Sequence, residues 1–396
     1  MIVLDFLTDI VFNTLVAAQN QLFPLEPVHP GKILREKLQE RGWTQDQLCT
    51  ITGYGKQAIS LIVNEKNGVS ADMAKALAAA FGNTPEEWLK WDSLYRLSNA
   101  EADVTLIERK AHLHSLAPIR DMQKRGWIST TDDLEKLESD LRKFFGVDAL
   151  DGDVLFPVAT HRTVKLLYLN PAEKAWCFRA RKMASVLPVP SFHPDRLNQA
   201  EKELRKLAAF PREARHLTEL LASYGIRFVV VEPLPGVKID GAAFWLDASS
   251  PVIALSVRFD RMDAFWFTLM HEFFHIKHGD AWSVDSDLID GTIGIAVALV
   301  EDEAEKRASA AATNALIPTE EMKSFISRVG PLYSKERIIQ FAHKVKIHPG
   351  IIVGQLQHRN EIGFGSNREM LAKIRASIIE TALTDGWNRS ITPGLV

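Results

Sequence analysis

Three things are scarce in this chain of 396 residues, and each scarcity removes a class of function. Cysteine is the first: Cys49 and Cys177 are too few for a disulfide framework and suit a reducing, cytoplasmic compartment. Surplus charge is the second. Lys and Arg number 47 against 50 Asp and Glu, a formal net charge of -3, so the molecule as a whole is no electrostatic binder of nucleic acid. The third is an unbroken apolar run long enough to span a bilayer, so no membrane partner is expected. Met1 to Phe23 is apolar but carries Asp5, Asp9 and no Lys or Arg, the wrong sign for a secretory signal. It reads as an amphipathic extension over 1–25 that docks on the protein or on a sister subunit. No internal repeat or low-complexity tract is visible, and the length suffices for two or three domains with proper cores.

Against that background one stretch is rich in chemistry. His271-Glu272-Phe273-Phe274-His275 lies in a run from Ala264 to His278 that has no Gly or Pro, with Asp263 as a candidate cap and Gly279 as a candidate stop. Histidines at i and i+4 share one helix face and can close on one zinc ion, while the carboxylate between them reaches a water that the ion activates. Zinc lowers the pKa of such a water to about 7, and Glu272 is the expected general base for its attack on a peptide carbonyl. Leu269, Phe273 and Ile276 form the apolar side of the helix; Thr268, His271, His275 and His278 lie on another. His278 is read as a surface or supporting residue. The plain alternative is a core helix with two incidental histidines.

A catalytic zinc usually takes a third protein ligand and leaves one position open. Val300 to Pro318 reads as a second helix, acidic at 301, 302, 303 and 305, where a solvated helix start is the bland explanation. Glu305, Ala308 and Ala312 share a face on which small residues permit close helix packing. Glu301 sits one turn earlier on that face.

These two segments resemble the ImmA/IrrE family of zinc metallopeptidases, whose pattern is F-T-L-x-H-E-x-x-H followed by E-x-x-A-(N/D)-x-F-A and L-(I/M)-P. The matching residues are Phe267 to His275, Glu305 to Ser309 and Leu316-Ile317-Pro318. The resemblance covers roughly residues 220 to 360 and implies a zincin-like domain with one Zn2+ per chain held by His271, His275 and Glu305, Glu301 being the reserve ligand. It also implies cleavage of a repressor- or antitoxin-like protein, or of another copy of this chain. Ser309 stands where the family has Asn or Asp, and Ala311 where it has Phe.

Between His29 and Leu97 the punctuation predicts five short helices. Gly42, Gly53 and Gly82 are stops; Thr44-Gln45-Asp46-Gln47 and Thr84-Pro85-Glu86-Glu87 are capping boxes; Ser70 starts the fourth helix. Ile33, Leu34, Leu38, Ile59, Ile62, Met73, Leu77 and Phe81 are the expected core. Two helices joined by the Gly53-Tyr54-Gly55 turn form a helix-turn-helix, the second entering a major groove. Gln57 and Ser60 are the candidate base readers, Gln45 a phosphate contact, and Lys56, Asn64 and Lys66 the flanking contacts. Residues 26 to 100 hold nine Lys/Arg and nine Asp/Glu, so the footprint is not basic, and a bundle for protein contacts is the alternative. From His29-Pro-Gly-Lys to Phe81-Gly-Asn-Thr-Pro-Glu-Glu-Trp-Leu the segment resembles the HigA antitoxin helix-turn-helix, a Cro/CI-type domain, which implies homodimeric binding to operator DNA. Gly55 replaces the usual Ser or Thr cap, and Thr52 an apolar residue.

The expected fold is α+β and mainly α. It comprises a 1–25 extension, a 26–100 helix-turn-helix domain, a 101–219 helical linker region, a 220–330 metallopeptidase domain with a small β-sheet, and a 331–396 helical subdomain. Leu134, Leu137, Leu141 and Phe144 have helical spacing, Val154 to Leu169 is extended, and Glu173 to Ala184 and Gln199 to Gly225 are helices. Arg179, Arg181 and Lys182 form a small basic group, read as a solvated face, with a phosphate or acidic-peptide contact as the alternative. Arg227 to Glu232, Gly241 to Leu246 and Pro251 to Ser256 are strands, and Ser334 caps a helix ending near Val345. Tyr333, His343, His348 and His358 are undifferentiated candidates for an oxyanion donor. The expected function is a transcriptional regulator with a DNA-binding unit and a zinc peptidase. The rival is an antitoxin-like repressor whose metal domain senses or binds without proteolysis, and a third reading makes the amino-terminal bundle a recruiter of a partner repressor.

Overall fold

A computed structural model describes residues 27–100, 104–150, 169–280, 282–286 (backbone only) and 303–387. The 1–25 extension, the extended stretch after Val154 as far as 168, and Glu301 lie outside these residues. The described chain is mainly helical with one small mixed sheet, and it divides into two compact units between Thr105 and Leu106.

Among its described residues the first unit has five helices: α1 (Pro30–Arg41), α2 (Gln45–Thr52), α3 (Lys56–Val63), α4 (Ala71–Phe81) and α5 (Pro85–Ser98). The punctuation acts as expected. Thr44 and Thr84 form complete capping boxes with Gln47 and Glu87, and Gly42, Gly53 and Gly82 end their helices in the left-handed region. His29, which carried no sequence signal, caps α1 by accepting the Gly31 N–H at 2.9 Å. Leu34, Leu48, Ile59, Leu77 and Trp88 are fully buried at the centre of the unit.

The second unit is built on five strands, β1 (Arg227–Val231), β2 (Ile239–Trp245), β3 (Pro251–Leu255), β4 (Trp282–Ser286) and β5 (Leu383–Asp385), in the order β4-β2-β3-β1-β5. β1 runs parallel to β3 and β5, while β2 is antiparallel to β3 and β4. Side chains alternate between two cores: Phe228, Val230, Ala243, Ile253 and Leu255 on one face, Val229, Val231, Ala242, Val252 and Ala254 on the other. A sheet covered on both sides needs apolar residues throughout, which is why these strands read as continuous hydrophobic runs.

Helices α6 (Val104–Leu116), α7 (Ile119–Lys124), α8 (Leu134–Phe145) and α9 (Pro171–Ser185) supply residues to the second of these cores. From Leu106 the 101–219 region is therefore no linker: it is part of the unit that contains the sheet. The reason is α9, whose Ala175, Trp176, Ala180 and Ala184 are buried with the sheet residues, a stripe that only long-range packing makes visible. The single helix expected over Gln199 to Gly225 is broken at Pro211 into α10 (Leu197–Leu207), a 3-10 turn and α11 (Leu217–Ser223).

Helices α12 (Met262–His278), α13 (Glu303–Leu316), α14 (Thr319–Val329), α15 (Lys335–Val345), α16 (Pro349–His358) and α17 (Arg375–Ile379) contribute to the first core. Residues 331–387 are thus not a separate subdomain, since they share this core and add β5 to the sheet edge. Arg179 is another correction. Instead of lying on a solvated face it is 9% exposed, and its guanidinium pairs with Asp385 of β5, which also accepts from Arg125 at 3.0 Å and from the Trp127 indole at 2.7 Å. No described helix is long and apolar enough to cross a membrane.

Candidate metal centre and helix-turn-helix

α12 is a buried helix with chemistry on one face. Leu269 and Phe273 are fully buried, and His271, Glu272 and His275 are 3%, 0% and 1% exposed. It begins earlier than expected, at Met262 after Arg261, so Asp263 does not cap it but sits in the first turn, held by the Arg261 guanidinium at 2.6 Å. Gly279 ends it in the left-handed region, and the Asp280 N–H then returns to the His275 carbonyl at 2.9 Å. That return turn brings the Asp280 carboxylate back to the helix end.

α13 packs against α12 through Ala308 and Ala312, both fully buried. The small residues let Glu305 approach. Its Oε2 lies 3.0 Å from His271 Nε2 and 3.4 Å from His275 Nε2, and the two imidazole nitrogens are 3.0 Å apart. Among the described residues these three side chains make up the candidate metal group. Bonds of about 2.0–2.1 Å at tetrahedral angles place donors roughly 3.4 Å apart, so the set fits one zinc ion with a position to spare.

The outer sides of both imidazoles are engaged as well. Nδ1 of His275 lies 2.9 Å from Asp280 Oδ2. With that carboxylate as acceptor, Nδ1 would donate to it and Nε2 would keep its lone pair for a cation. Asp280 in turn accepts from Arg307 of α13 at 2.9 Å, and its carbonyl accepts the Trp245 indole N–H at 3.1 Å. The Ser309 hydroxyl faces Nδ1 of His271 at 3.2 Å. Sequence reasoning missed Asp280, although a Gly-Asp pair following a helix that ends in histidine is a usable signal. It noted Ser309 only as a departure from a pattern, and the position turns out to support His271.

Glu272 follows His271 in α12, and its side chain lies where β2 passes closely over the helix. A Cβ on Gly241 would stand 2.7 Å from Thr268 Cγ2 and 3.0 Å from Glu272 Cγ, so glycine is what allows the carboxylate its place. His278 is outside the donor set: it is exposed and tilted against Phe274 at 5.7 Å. Partial desolvation first, and the Arg307 charge second, hold its imidazole below the ordinary value. Tyr333 donates to Glu361 at 2.6 Å, and burial followed by that bond pushes its phenol up. His348 caps α16 by accepting the Gly350 N–H at 3.0 Å. Both are thereby committed to structural bonds.

In the first unit α2 and α3 flank the Gly53-Tyr54-Gly55 turn. Gln57 and Lys66 are exposed and Gln45 is half-buried. Ser60 is half-buried rather than free at the surface, and its hydroxyl accepts from the Asn64 amide at 3.0 Å, so these two expected contacts form one linked pair. Lys56 at the start of α3 pairs with Asp46 of α2 at 2.9 Å, and that hydrogen bond raises its pKa. Gly55 caps α3 without a side-chain bond.

The chain thus joins a helical unit of helix-turn-helix form to an α/β unit with a two-histidine, one-carboxylate cluster. Residues 34–89 match the helix-turn-helix family, and through them the chain belongs to that family. Over 77 residues it is 36% identical to virulence-associated protein I of Dichelobacter nodosus, a match covering 19% of this chain and 71% of the relative. Over 73 residues it is 37% identical to virulence-associated protein A' of the same organism, covering 18% of this chain and 64% of that one. A solved structure of the Pseudomonas aeruginosa antitoxin HigA with the higBA promoter is 30% identical, covering 24% of this chain and 99% of its own, with a TM-score of 0.19.

Proposed function

We propose that the chain is a DNA-binding regulator whose second unit is a zinc-dependent peptidase. What supports the peptidase half most is the convergence of His271, His275 and Glu305, from two helices, on donor separations of 3.0 to 3.4 Å. Those three side chains would hold one Zn2+, which when bound supplies a Lewis acid that polarises a peptide carbonyl and acidifies water. Glu272 takes the proton of the attacking water as its oxygen joins the carbonyl carbon, then passes that proton to the leaving amine as the C–N bond breaks. Asp280 and Ser309 keep the two imidazoles turned toward the donor centre. β4, an edge of the sheet that packs on α12, suits an extended peptide held by strand addition. The substrate class is a repressor- or antitoxin-like protein, or a second copy of this chain.

For the first unit, membership of the helix-turn-helix family supports operator binding as a homodimer. Gln57 reads bases, the Ser60–Asn64 pair lies beside it, and Gln45, Lys56 and Lys66 serve the phosphates.

The deciding experiment is Glu272→Gln in the full chain, incubated with proteins encoded beside it. Metal content should match that of the wild type, while cleavage falls by about 10²–10⁴-fold. Unchanged cleavage removes Glu272 from the role. Wild-type chain that binds zinc and cleaves none of these proteins favours a metal unit that senses rather than cuts.

A further inference from the structure

We propose that the cavity between α10 and α15 binds a nucleotide-class anion. It encloses about 890 Å³, within the roughly 300–1,000 Å³ usual for small-molecule sites. Lys202, Arg205 and Lys206 of α10 line one wall, and Lys346 and His343 line the other. No carboxylate is among the lining residues, and Lys202 and Lys346 enter no ion pair among the described residues. Lys206 feels Glu203, but that carboxylate is already engaged by Gln199 and Tyr224. The lining is cationic on both walls, and a phosphate is the complementary charge.

Two observations go beyond charge. Lys346 ends α15 with φ 54°, in the left-handed region where glycine is the usual residue. That turn sets the lysine at the end of α15, on the cavity wall. Phe210 also lines the cavity and is 66% exposed, a large aromatic face left in water. Ile339, Ala342 and Ile347 give the cavity an apolar side. A flat heterocycle stacks on such a ring, and a phosphate joined to it meets the lysines, which together define a nucleoside phosphate.

The cavity is also tied to the donor helices. Arg205 donates to the Leu316 carbonyl at the end of α13 at 3.2 Å, and Glu201 of α10 pairs with Lys277 of α12 at 2.5 Å. A ligand against α10 therefore bears on both helices of the metal group. Any effect on hydrolysis rests on the peptidase reading, whereas the binding itself does not.

The test is calorimetry on the full chain with AMP, ADP and inorganic phosphate as separate probes. A nucleotide should bind once per chain, at least about tenfold tighter than phosphate. Lys202→Glu combined with Lys346→Glu should weaken it by about tenfold or more, with unchanged circular dichroism. Phe210→Ala should weaken the nucleotide and leave phosphate unaffected. The proposal is overturned if neither nucleotide saturates, if the double variant binds as well as wild type, or if phosphate alone binds as tightly. Binding of an acidic peptide in place of both nucleotides overturns it as well. Because no arm reads cleavage, failure of the peptidase reading leaves this result intact.

Discussion

In the amino-terminal unit four of the five described helices open on a side-chain cap, from His29, Thr44, Ser70 and Thr84, and Gly42, Gly53 and Gly82 end three of them in the left-handed region. The second unit mixes two kinds of helix: Asp133, Asn170, Ser334 and His348 cap α8, α9, α15 and α16, whereas α10, α11 and α12 start with no side-chain cap and rest on burial. The first unit is specified mostly by neighbours in the chain, whereas the donor group of the second depends on partners far along it. His271 and Glu305, 34 residues apart, meet only because α12 and α13 pack. The contrast teaches that a site assembled from distant segments depends on supporting contacts that a locally specified unit does not need.

The largest effect expected from breaking that contrast is His275→Ala. Removing one of three donors should strip the metal from the second unit while gel shifts on operator DNA stay unchanged, as elemental analysis beside the shifts would reveal. Coupled loss of both activities would mean that the units are not independent. Next is Asp280→Asn, which keeps every donor but weakens the acceptor for His275 Nδ1–H. Metal affinity should drop by about 10–100-fold in a competition titration with a chelator; an unchanged affinity would show that α12 alone orients the ring.

Turning to the first unit, Gln57→Ala should cost about 1–3 kcal/mol at one base pair and relax preference there, read by comparing operator variants at fixed salt. A uniform loss across all sequences would assign Gln57 to the backbone. The smallest change is Thr44→Ala. Losing the α2 capping box should cost about 1 kcal/mol and lower the first unit's melting temperature, with the metal content constant.

How far the molecule was legible follows the same division. Most helix starts and stops between 44 and 98 are written in caps and glycines and read directly from the chain, while the His29 cap of α1 did not. The α12 motif reads from its i, i+4 spacing. Asp280 escaped notice because its role depends on the return turn after Gly279, and Arg179 was misassigned because its partner, Asp385, lies 206 residues away. α9 passed for linker because an apolar stripe is uninformative until the face it covers is known. Ser60, half-buried, has a partner one turn on in Asn64, which spacing alone does not announce.

The chain alone determined the helix-turn-helix punctuation, the three inner strands, and a helix that presents two imidazoles with a carboxylate between them, since each depends on residues within a turn or two. Tertiary structure brought Glu305 to the two imidazoles, set Asp280 against His275, and gave the regions before and after the sheet a share in its cores. Those outcomes depend on packing between segments separated by tens to hundreds of residues, where no local propensity operates.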